Sequence, residues 1–242
     1  YIFDIEMSQY PENKTAAVIV AGGKGVRLDT GKKKQYLEIA GHPVIMWTLS
    51  AFLNSDQIGQ ISLVVPDEDI DYIRNGIIYK YGIEDRVKVV RGGSRRQESV
   101  YKGLNSLADN IGIAAIHDGV RPLIRPDLID KVCETASRTG AALIAVKSTA
   151  STFLSRENKI EEYIDRNTLW LAQTPQVFRK DSIISAHNMA VQDGFDASDD
   201  GMIYKKYMGD VDIVEGDHTN IKITYAQDLV FAENILKDRE LF

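Results

Sequence analysis

Short, continuous apolar runs recur along this sequence, and the stretches between them have helical patterns. The first run, residues 16–21, contains only Ala, Val and Ile and is followed by glycines. A strand that is buried on both faces of a parallel sheet has this composition, because neither face needs polar side chains. Similar runs occupy residues 61–65, 87–90, 113–116 and 141–146. The alternation predicts an α/β fold, a Rossmann-like and mainly parallel twisted sheet with helices on both faces.

Prolines indicate where two of the intervening helices begin. Pro43 lies early in a helix predicted over 42–53, and Pro126 precedes apolar residues at helical spacing. Cys133 borders that second apolar stripe, so we expect it to be a packed core residue. Further along the chain the pattern predicts a helix over 180–192, strands near 211–215 and 219–224, and a final helix over 226–237.

The alternation is interrupted after residue 147. Two short segments with strand character, 151–154 and 159–163, flank the turn-like sequence Arg156-Glu157-Asn158. This pattern predicts a protruding β-arm at about 147–166. Because such an arm is too small to form its own core, we expect it to pack on something else, in particular on a second subunit.

Length and charge limit the classes of protein to consider. A chain of 242 residues fits one α/β domain, expected over 15–242, preceded by an extension over 1–14 that is partly foreign to the native chain. A net charge of −6 would repel nucleic acid and anionic membranes, so we expect neither as a partner. A single cysteine cannot form an internal disulfide, which favours a reducing compartment and predicts a cytoplasmic location.

The loop after the first strand is the strongest candidate for an anion-binding site. It reads Ala21-Gly22-Gly23-Lys24-Gly25-Val26-Arg27-Leu28, and between residues 24 and 34 the chain has five cations and one acid. Glycines allow backbone N–H groups to approach phosphate oxygens, and the cations neutralise the phosphate charge. The alternative is a tight turn followed by a solvated basic loop. Neither the P-loop spacing nor the dinucleotide-binding glycine spacing fits.

Two further motifs follow later strands. Arg91-Gly92-Gly93-Ser94-Arg95-Arg96 comes after the third strand, and His117-Asp118-Gly119-Val120-Arg121 comes after the fourth. Ligands bind at the carboxyl ends of strands in open parallel sheets, so we expect these loops to meet at one crevice. Asp118 is then a candidate ligand for Mg²⁺ between phosphates, and the alternative is a cap for the next turn. His117 has no second histidine at ligand spacing, so a packed, hydrogen-bonded histidine is favoured.

These motifs together resemble the 2-C-methyl-D-erythritol 4-phosphate cytidylyltransferase family. The resemblance extends from about Thr15 to Lys237, and it also rests on motifs in the second half of the chain: Asp165-Arg166, Leu169-Trp170, Gln173-Thr174-Pro175-Gln176, Asp199-Asp200 and Asn220-Ile221-Lys222-Ile223-Thr224. The resemblance implies a nucleotidyltransferase of isoprenoid precursor biosynthesis that moves CMP from CTP to 2-C-methyl-D-erythritol 4-phosphate and releases pyrophosphate.

Roles for individual residues follow from the resemblance alone. It implies that catalysis depends on Arg27, Lys34 and Lys222 and that Asp118 holds Mg²⁺. The implied nucleotide-binding residues are Ala21, Gly22, Gly23, Gly25, Gly93, Arg96, Ser99 and Gly119. The implied substrate-binding residues are Thr149, Arg166, Thr174 and Arg121, with the arm contributing to the site across a homodimer interface.

Two alternatives remain open at this point. Ribitol 5-phosphate cytidylyltransferases are similar in scaffold and also favour Ala-Gly-Gly in the first loop. A catalytically silent nucleotide-binding regulator is the second alternative, for which losses among Arg27, Lys34, Asp118 and Lys222 are expected; none is lost. The sequence also departs from the family at Val146-Lys147-Ser148-Thr149-Ala150, where only Thr149 matches the substrate-binding pattern.

Overall fold

A central seven-stranded sheet organises the protein. The structure is a computed structural model that describes residues 15–23 and 33–239. The strands of the described residues, in chain order, are β1 (Thr15–Val20), β2 (Glu38–Ile39), β3 (His42–Pro43), β4 (Gln60–Val65), β5 (Val87–Arg91), β6 (Ile113–Asp118), β7 (Ala141–Lys147), β8 (Thr152–Arg156), β9 (Lys159–Ile164), β10 (Trp170–Arg179) and β11 (Asp212–Glu215). The central sheet has the order β11-β7-β10-β6-β1-β4-β5, and β10 alone runs antiparallel to its neighbours β6 and β7.

Helices connect most of the strands. They are α1 (Val44–Leu53), the irregular helix α2 (Ile70–Ile73, a π-helical turn Arg74–Ile78, and Tyr79–Tyr81), α3 (Arg96–Asn105), α4 (Pro126–Thr139), α5 (Lys180–Gln192), α6 (Asp200–Tyr207) and α7 (Ala226–Asp238). Local sequence explains several boundaries. Helix α4 begins with Pro126 at its first position and ends at Gly140, which has a positive φ of 101°. Helix α6 is capped by the Asp199 side chain, which accepts a hydrogen bond from the Met202 N–H.

Both faces of the sheet are buried, as the apolar run of β1 predicts. Ala17 and Ile19 point into one core with α1, α2 and α4, and Ala16 and Val18 point into a second core with α3, α5 and α6. The predicted α/β class, with a mainly parallel sheet and helices on both faces, is therefore confirmed. Cys133 is fully buried in the first core, and burial raises the pKa of its thiol.

Two sequence-based expectations need correction, and one strand was not predicted. No strand forms over 219–224; this segment is irregular, and its Ile223 N–H donates to the Val120 carbonyl oxygen. Helix α1 starts at Val44 rather than at residue 42, because His42 and Pro43 pair with β2 instead. The long strand β10 was not predicted, because polar residues and Pro175 interrupt its apolar pattern.

The predicted arm is a hairpin of β8 and β9. Glu157 and Asn158 both have positive φ, at 50° and 62°, which is the geometry of a two-residue hairpin turn. The hairpin forms a separate two-stranded sheet, and its apolar side chains are exposed: Phe153 at 45%, Leu154 at 49%, Ile160 at 51% and Tyr163 at 64%. Across the ranges 15–23 and 33–239, no helix is long and apolar enough to cross a membrane.

Candidate active site

The carboxyl ends of four parallel strands, β1, β4, β5 and β6, bring the three glycine-containing loops together. Short backbone hydrogen bonds continue the sheet into these loops. The Ala21 N–H donates to the Val64 carbonyl at 2.8 Å, and the Gly119 N–H donates to the Val20 carbonyl at 2.9 Å. The Gly92 N–H donates to the Val65 carbonyl at 2.7 Å. The loops therefore meet at one edge of the sheet, as the sequence predicts.

Between these loops lies a cleft of about 960 Å³. Nine of the residues singled out from the sequence line it: Ala21, Gly22, Gly23, Lys34, Gly93, Arg96, Ser99, Asp118 and Lys222. The whole lining has six cationic and four acidic side chains, so the cleft is locally positive in a chain of net charge −6. A volume of this size is sufficient for a nucleotide.

Asp118 lies at the centre of the charged groups. Its Oδ2 accepts a hydrogen bond from Lys222 Nζ at 2.8 Å, and its Oδ1 accepts one from Arg96 Nε at 3.2 Å. Arg121 Nε lies 3.8 Å from the same Oδ2. Burial alone would raise the pKa of Asp118, but the positive charges of Arg96, Lys222 and Arg121 outweigh burial and hold the pKa well below its usual range. Asp118 is therefore ionised at neutral pH.

Below Asp118, a hydrogen-bonded pair fixes its backbone. The Asp118 N–H donates to Thr174 Oγ1 at 3.1 Å, and the same Oγ1 lies 3.0 Å from His117 Nδ1. His117 is fully buried, and burial lowers its pKa to about 3, so the ring is neutral at neutral pH. Its Nε2 faces the Arg121 carbonyl at 3.3 Å, so we assign Nε2 as the protonated nitrogen and Nδ1 as the acceptor of the Thr174 hydroxyl proton. The expectation of a packed, hydrogen-bonded histidine is met.

Arg96 connects the cleft to the buried side of α6. Its Nη1 donates to Asp200 Oδ2 at 2.8 Å, while the other oxygen of Asp200 lies 3.1 Å from His187 Nε2. Asp200 and His187 are both fully buried. The guanidinium is thus held between two carboxylates. Burial alone would lower the pKa of Arg96, but the negative charges of Asp200 and Asp118 outweigh burial and raise the pKa. Arg96 therefore stays charged and fixed in direction.

The loop after β5 is held by its own side chains. The Gly93 N–H donates to Ser99 Oγ at 3.0 Å, and the Ser94 N–H donates to Glu98 Oε2 at 2.8 Å. Hydrogen bonds from Lys102 and Ser94 lower the pKa of Glu98 to about 2, so this carboxylate is charged at neutral pH. The loop forms one wall of the cleft, with Ser99 behind Gly93.

The structure does not bring all the implied site residues to the cleft. Gly119 lies beneath its floor, where an added Cβ would be crowded, 2.8 Å from Ile45 Cδ1 and 3.1 Å from Ala21 Cβ. Thr174 and Arg121 lie behind Asp118 and do not line the cleft. Thr149, which precedes β8, and Arg166, which follows β9, are both exposed and lie outside the cleft lining. Gly25 and Arg27 lie outside the described residues.

The sequence model of the 2-C-methyl-D-erythritol 4-phosphate cytidylyltransferases matches residues 15–238, which is nearly the whole chain. The chain belongs to this family. The family predicted from the motifs is therefore confirmed.

Curated relatives and solved structures match this chain over nearly its full length. The cytidylyltransferase of Pelotomaculum thermopropionicum is 40% identical over 230 residues, covering 94% of this chain and 96% of the relative. That of Alkaliphilus oremlandii is 37% identical over 228 residues, covering 94% and 97%. The crystal structure of the 4-diphosphocytidyl-2C-methyl-D-erythritol synthase of Anaerococcus prevotii has a TM-score of 0.83 at 28% identity and covers 93% of this chain and 96% of that one. The Thermus thermophilus enzyme has a TM-score of 0.73 at 27% identity and covers 91% and 98%.

Sequence reasoning gave no role to several residues in and behind this cleft. Asp200, Gln173 and Asn220 were part of recognised motifs but were given no role. A polar residue inside an apolar or irregular segment does not by itself indicate a role, because its hydrogen-bond partners are distant in the sequence and cannot be identified from it. The cleft residue Lys102 was missed because an isolated cation on a helix is usually solvated, and Arg91 was named in its motif without a role.

Proposed function

We infer that this chain transfers CMP from CTP to 2-C-methyl-D-erythritol 4-phosphate, giving 4-diphosphocytidyl-2-C-methyl-D-erythritol and pyrophosphate in isoprenoid precursor biosynthesis. The observation that carries the inference is the cleft itself. The chain belongs to this family, and its cleft is lined at one edge of the sheet by glycine backbone together with Lys34, Arg96, Asp118 and Lys222. A silent regulator would not need to retain this charged set.

The reaction joins two anions. A phosphate oxygen of the acceptor attacks the α-phosphorus of CTP, a new P–O bond forms, and the bond to the β-phosphate oxygen breaks as pyrophosphate leaves. The acceptor phosphate is already an anion, so no general base is required. Catalysis then consists of alignment and of stabilising the charge that accumulates on the α-phosphate. The positive lining of the cleft is suited to both tasks.

Individual groups have separate tasks in this proposal. Gly22 and Gly23 present backbone next to Lys34, whose Cε lies 3.7 Å from a Cβ built on Gly23, and together they hold the triphosphate. The Gly93 to Ser99 wall contacts the cytosine. Lys222 approaches the α-phosphate, and Asp118 keeps it in place through their hydrogen bond of 2.8 Å.

Asp118 also fits a role as the protein ligand of Mg²⁺. Mg²⁺ at phosphate-transfer sites is commonly bound by one or two carboxylates together with substrate phosphates and water. No group of three or more His, Cys, Asp or Glu side chains converges within the described part of the chain, so the triphosphate would supply the other non-water ligands. When bound, Mg²⁺ would neutralise triphosphate charge, while Arg96 and Lys222 hold the carboxylate in position.

Nucleotide selectivity tests the assignment of the base site. In this proposal the wall from Gly93 to Ser99 contacts the base and accepts a pyrimidine in preference to a purine. We expect kcat/KM for CTP to exceed that for ATP by about a hundredfold or more, measured as pyrophosphate release with Mg²⁺ and a fixed acceptor. Similar values for the two nucleotides would contradict a cytidylyltransferase.

The exposed arm supports a homodimer. A lone two-stranded hairpin is at best marginally stable, and its exposed apolar side chains, among them the contacting pair Phe153 and Tyr163, are ones that a second copy of the chain would bury. Arg166 and Thr149 lie outside the cleft of their own chain. In the proposed dimer they reach the partner's cleft and bind the acceptor phosphate.

Mixed dimers test whether each site contains residues of both chains. Arg166→Ala and Lys34→Ala chains, each nearly inactive alone, should recover about a quarter of wild-type activity when mixed equally. Half of the dimers are then mixed, and one of their two sites has neither defect. A mixture of Lys34→Ala and Lys222→Ala chains is the matched control and should recover nothing, because both residues belong to one chain's cleft. Absence of recovery in the first mixture, with subunit exchange demonstrated, would place Arg166 in its own chain's site.

A further inference from the structure

Strand β10 is irregular in the middle of the sheet, directly behind the cleft. Its register with β7 shifts between Ala172 and Gln176, and we call residues 173–175 the β10 bulge. Bulges redirect side chains and often lie next to active sites. Here Thr174 contacts the backbone of Asp118, and Gln173 contacts Asp217 and Asn220, which precede Lys222 in the chain.

On one side the bulge holds Asp118. Thr174 Oγ1 accepts the hydrogen bond from the Asp118 N–H at 3.1 Å, and both residues are buried. This contact fixes the end of β6, from which the carboxylate projects into the cleft.

On the other side the bulge holds the segment 217–224, which we call the Lys222 loop. This segment contains no strand or helix, so it is held by individual contacts: the Ile223 N–H donates to the Val120 carbonyl at 2.8 Å, and side chains hold the part before Lys222. Asn220 Nδ2 donates to Gln173 Oε1 at 3.1 Å and to the Thr174 carbonyl at 3.0 Å. Gln173 Nε2 donates in turn to the Asp217 carbonyl at 2.9 Å. Asn220 is fully buried, and its backbone carbonyl oxygen accepts a hydrogen bond from Arg121 Nη1 at 2.9 Å.

We propose that Asn220 and Gln173 are positioning residues, which fix the Lys222 loop to the β10 bulge and thereby hold Lys222 Nζ beside Asp118. The Lys222 side chain is 41% exposed and would have many conformations on a loosely held loop. The amide pair removes that freedom at the backbone, two residues before the lysine. As a statement about catalysis, the proposal rests on the function proposed above.

A double-mutant cycle separates positioning from ordinary stability. Asn220→Ala should lower kcat by about tenfold or more in the wild-type background, and by less than about twofold in a Lys222→Ala background, because the lysine through which it acts is gone. His218→Ala, a change at an exposed residue of the same loop, is the matched control and should leave kcat within about twofold. An equal loss of kcat from Asn220→Ala in both backgrounds would overturn the proposal.

Crystal structures provide a readout that needs no activity. In Asn220→Ala, or in Gln173→Ala if the first variant does not fold, Lys222 Nζ should lie more than 4 Å from Asp118 Oδ2, against 2.8 Å in the parent. Retention of the parent distance in the folded variant would overturn the proposal. If the wild-type chain releases no pyrophosphate from CTP, the proposed function fails, whereas the structural comparison still decides the positioning claim.

Discussion

Asp118→Asn should lower Mg²⁺-dependent kcat by about a hundredfold or more, because a neutral amide is a poor ligand for a hard cation. The amide would also place an N–H group near Lys222 Nζ or Arg96 Nε, which now donate to the two carboxylate oxygens. CTP binding without metal should not weaken, since a negative charge is removed from an anion site. Steady-state pyrophosphate release over a range of Mg²⁺ concentrations, with calorimetric CTP binding, measures both effects.

The fold should survive this change. Arg96 retains Asp200 as its partner, and Lys222 can turn towards solvent in the cleft. Asp199→Asn is the matched control, because it also removes one carboxylate but keeps an oxygen that can cap α6. Full activity of Asp118→Asn at saturating Mg²⁺ would remove Asp118 from the metal site.

Lys222→Ala should have the second-largest effect, with kcat lower by about a hundredfold or more. We expect this because Lys222 would meet the α-phosphate as negative charge builds up there. KM for CTP should change less, since Lys34, Arg96 and the glycine loop still bind the ground-state phosphates. Pyrophosphate-release kinetics at several CTP concentrations separate the two constants.

A lysine outside the cleft provides the control for this substitution. Lys205 forms an exposed ion pair with Asp210, and Lys205→Ala should leave both constants within about twofold. If Lys222→Ala instead raises KM and leaves kcat unchanged, the lysine contributes uniform binding and not transition-state stabilisation.

The sequence predicts most of the parallel sheet, because strands buried on both faces are continuous apolar runs. It does not predict β10, where polar residues and a proline interrupt the apolar pattern at the bulge. The strand expected over 219–224 was wrong for a related reason. Ile221 and Ile223 alternate with polar residues as in a strand, but Ile223 packs against Val120 and Leu123 beside α7, away from the central sheet.

The candidate site divides in the same way. Loops at the ends of apolar strands, with glycines and cations, are visible in the sequence, and nine of the selected residues line the cleft. The buried hydrogen-bond partners in and behind the cleft cannot be identified from the sequence. Asp200 lies 104 positions after Arg96, and Asn220 lies 47 positions after Gln173, so nothing local connects them.

The identity of the acceptor tests the central claim most directly. The chain should be incubated with CTP, Mg²⁺ and either 2-C-methyl-D-erythritol 4-phosphate or ribitol 5-phosphate, and the nucleotide product should be identified by mass spectrometry. We expect 4-diphosphocytidyl-2-C-methyl-D-erythritol and stoichiometric pyrophosphate with the first acceptor, and at least about a hundredfold lower kcat/KM with the second. Preferential formation of CDP-ribitol, or no diphosphocytidyl product with the methylerythritol acceptor, would contradict the account.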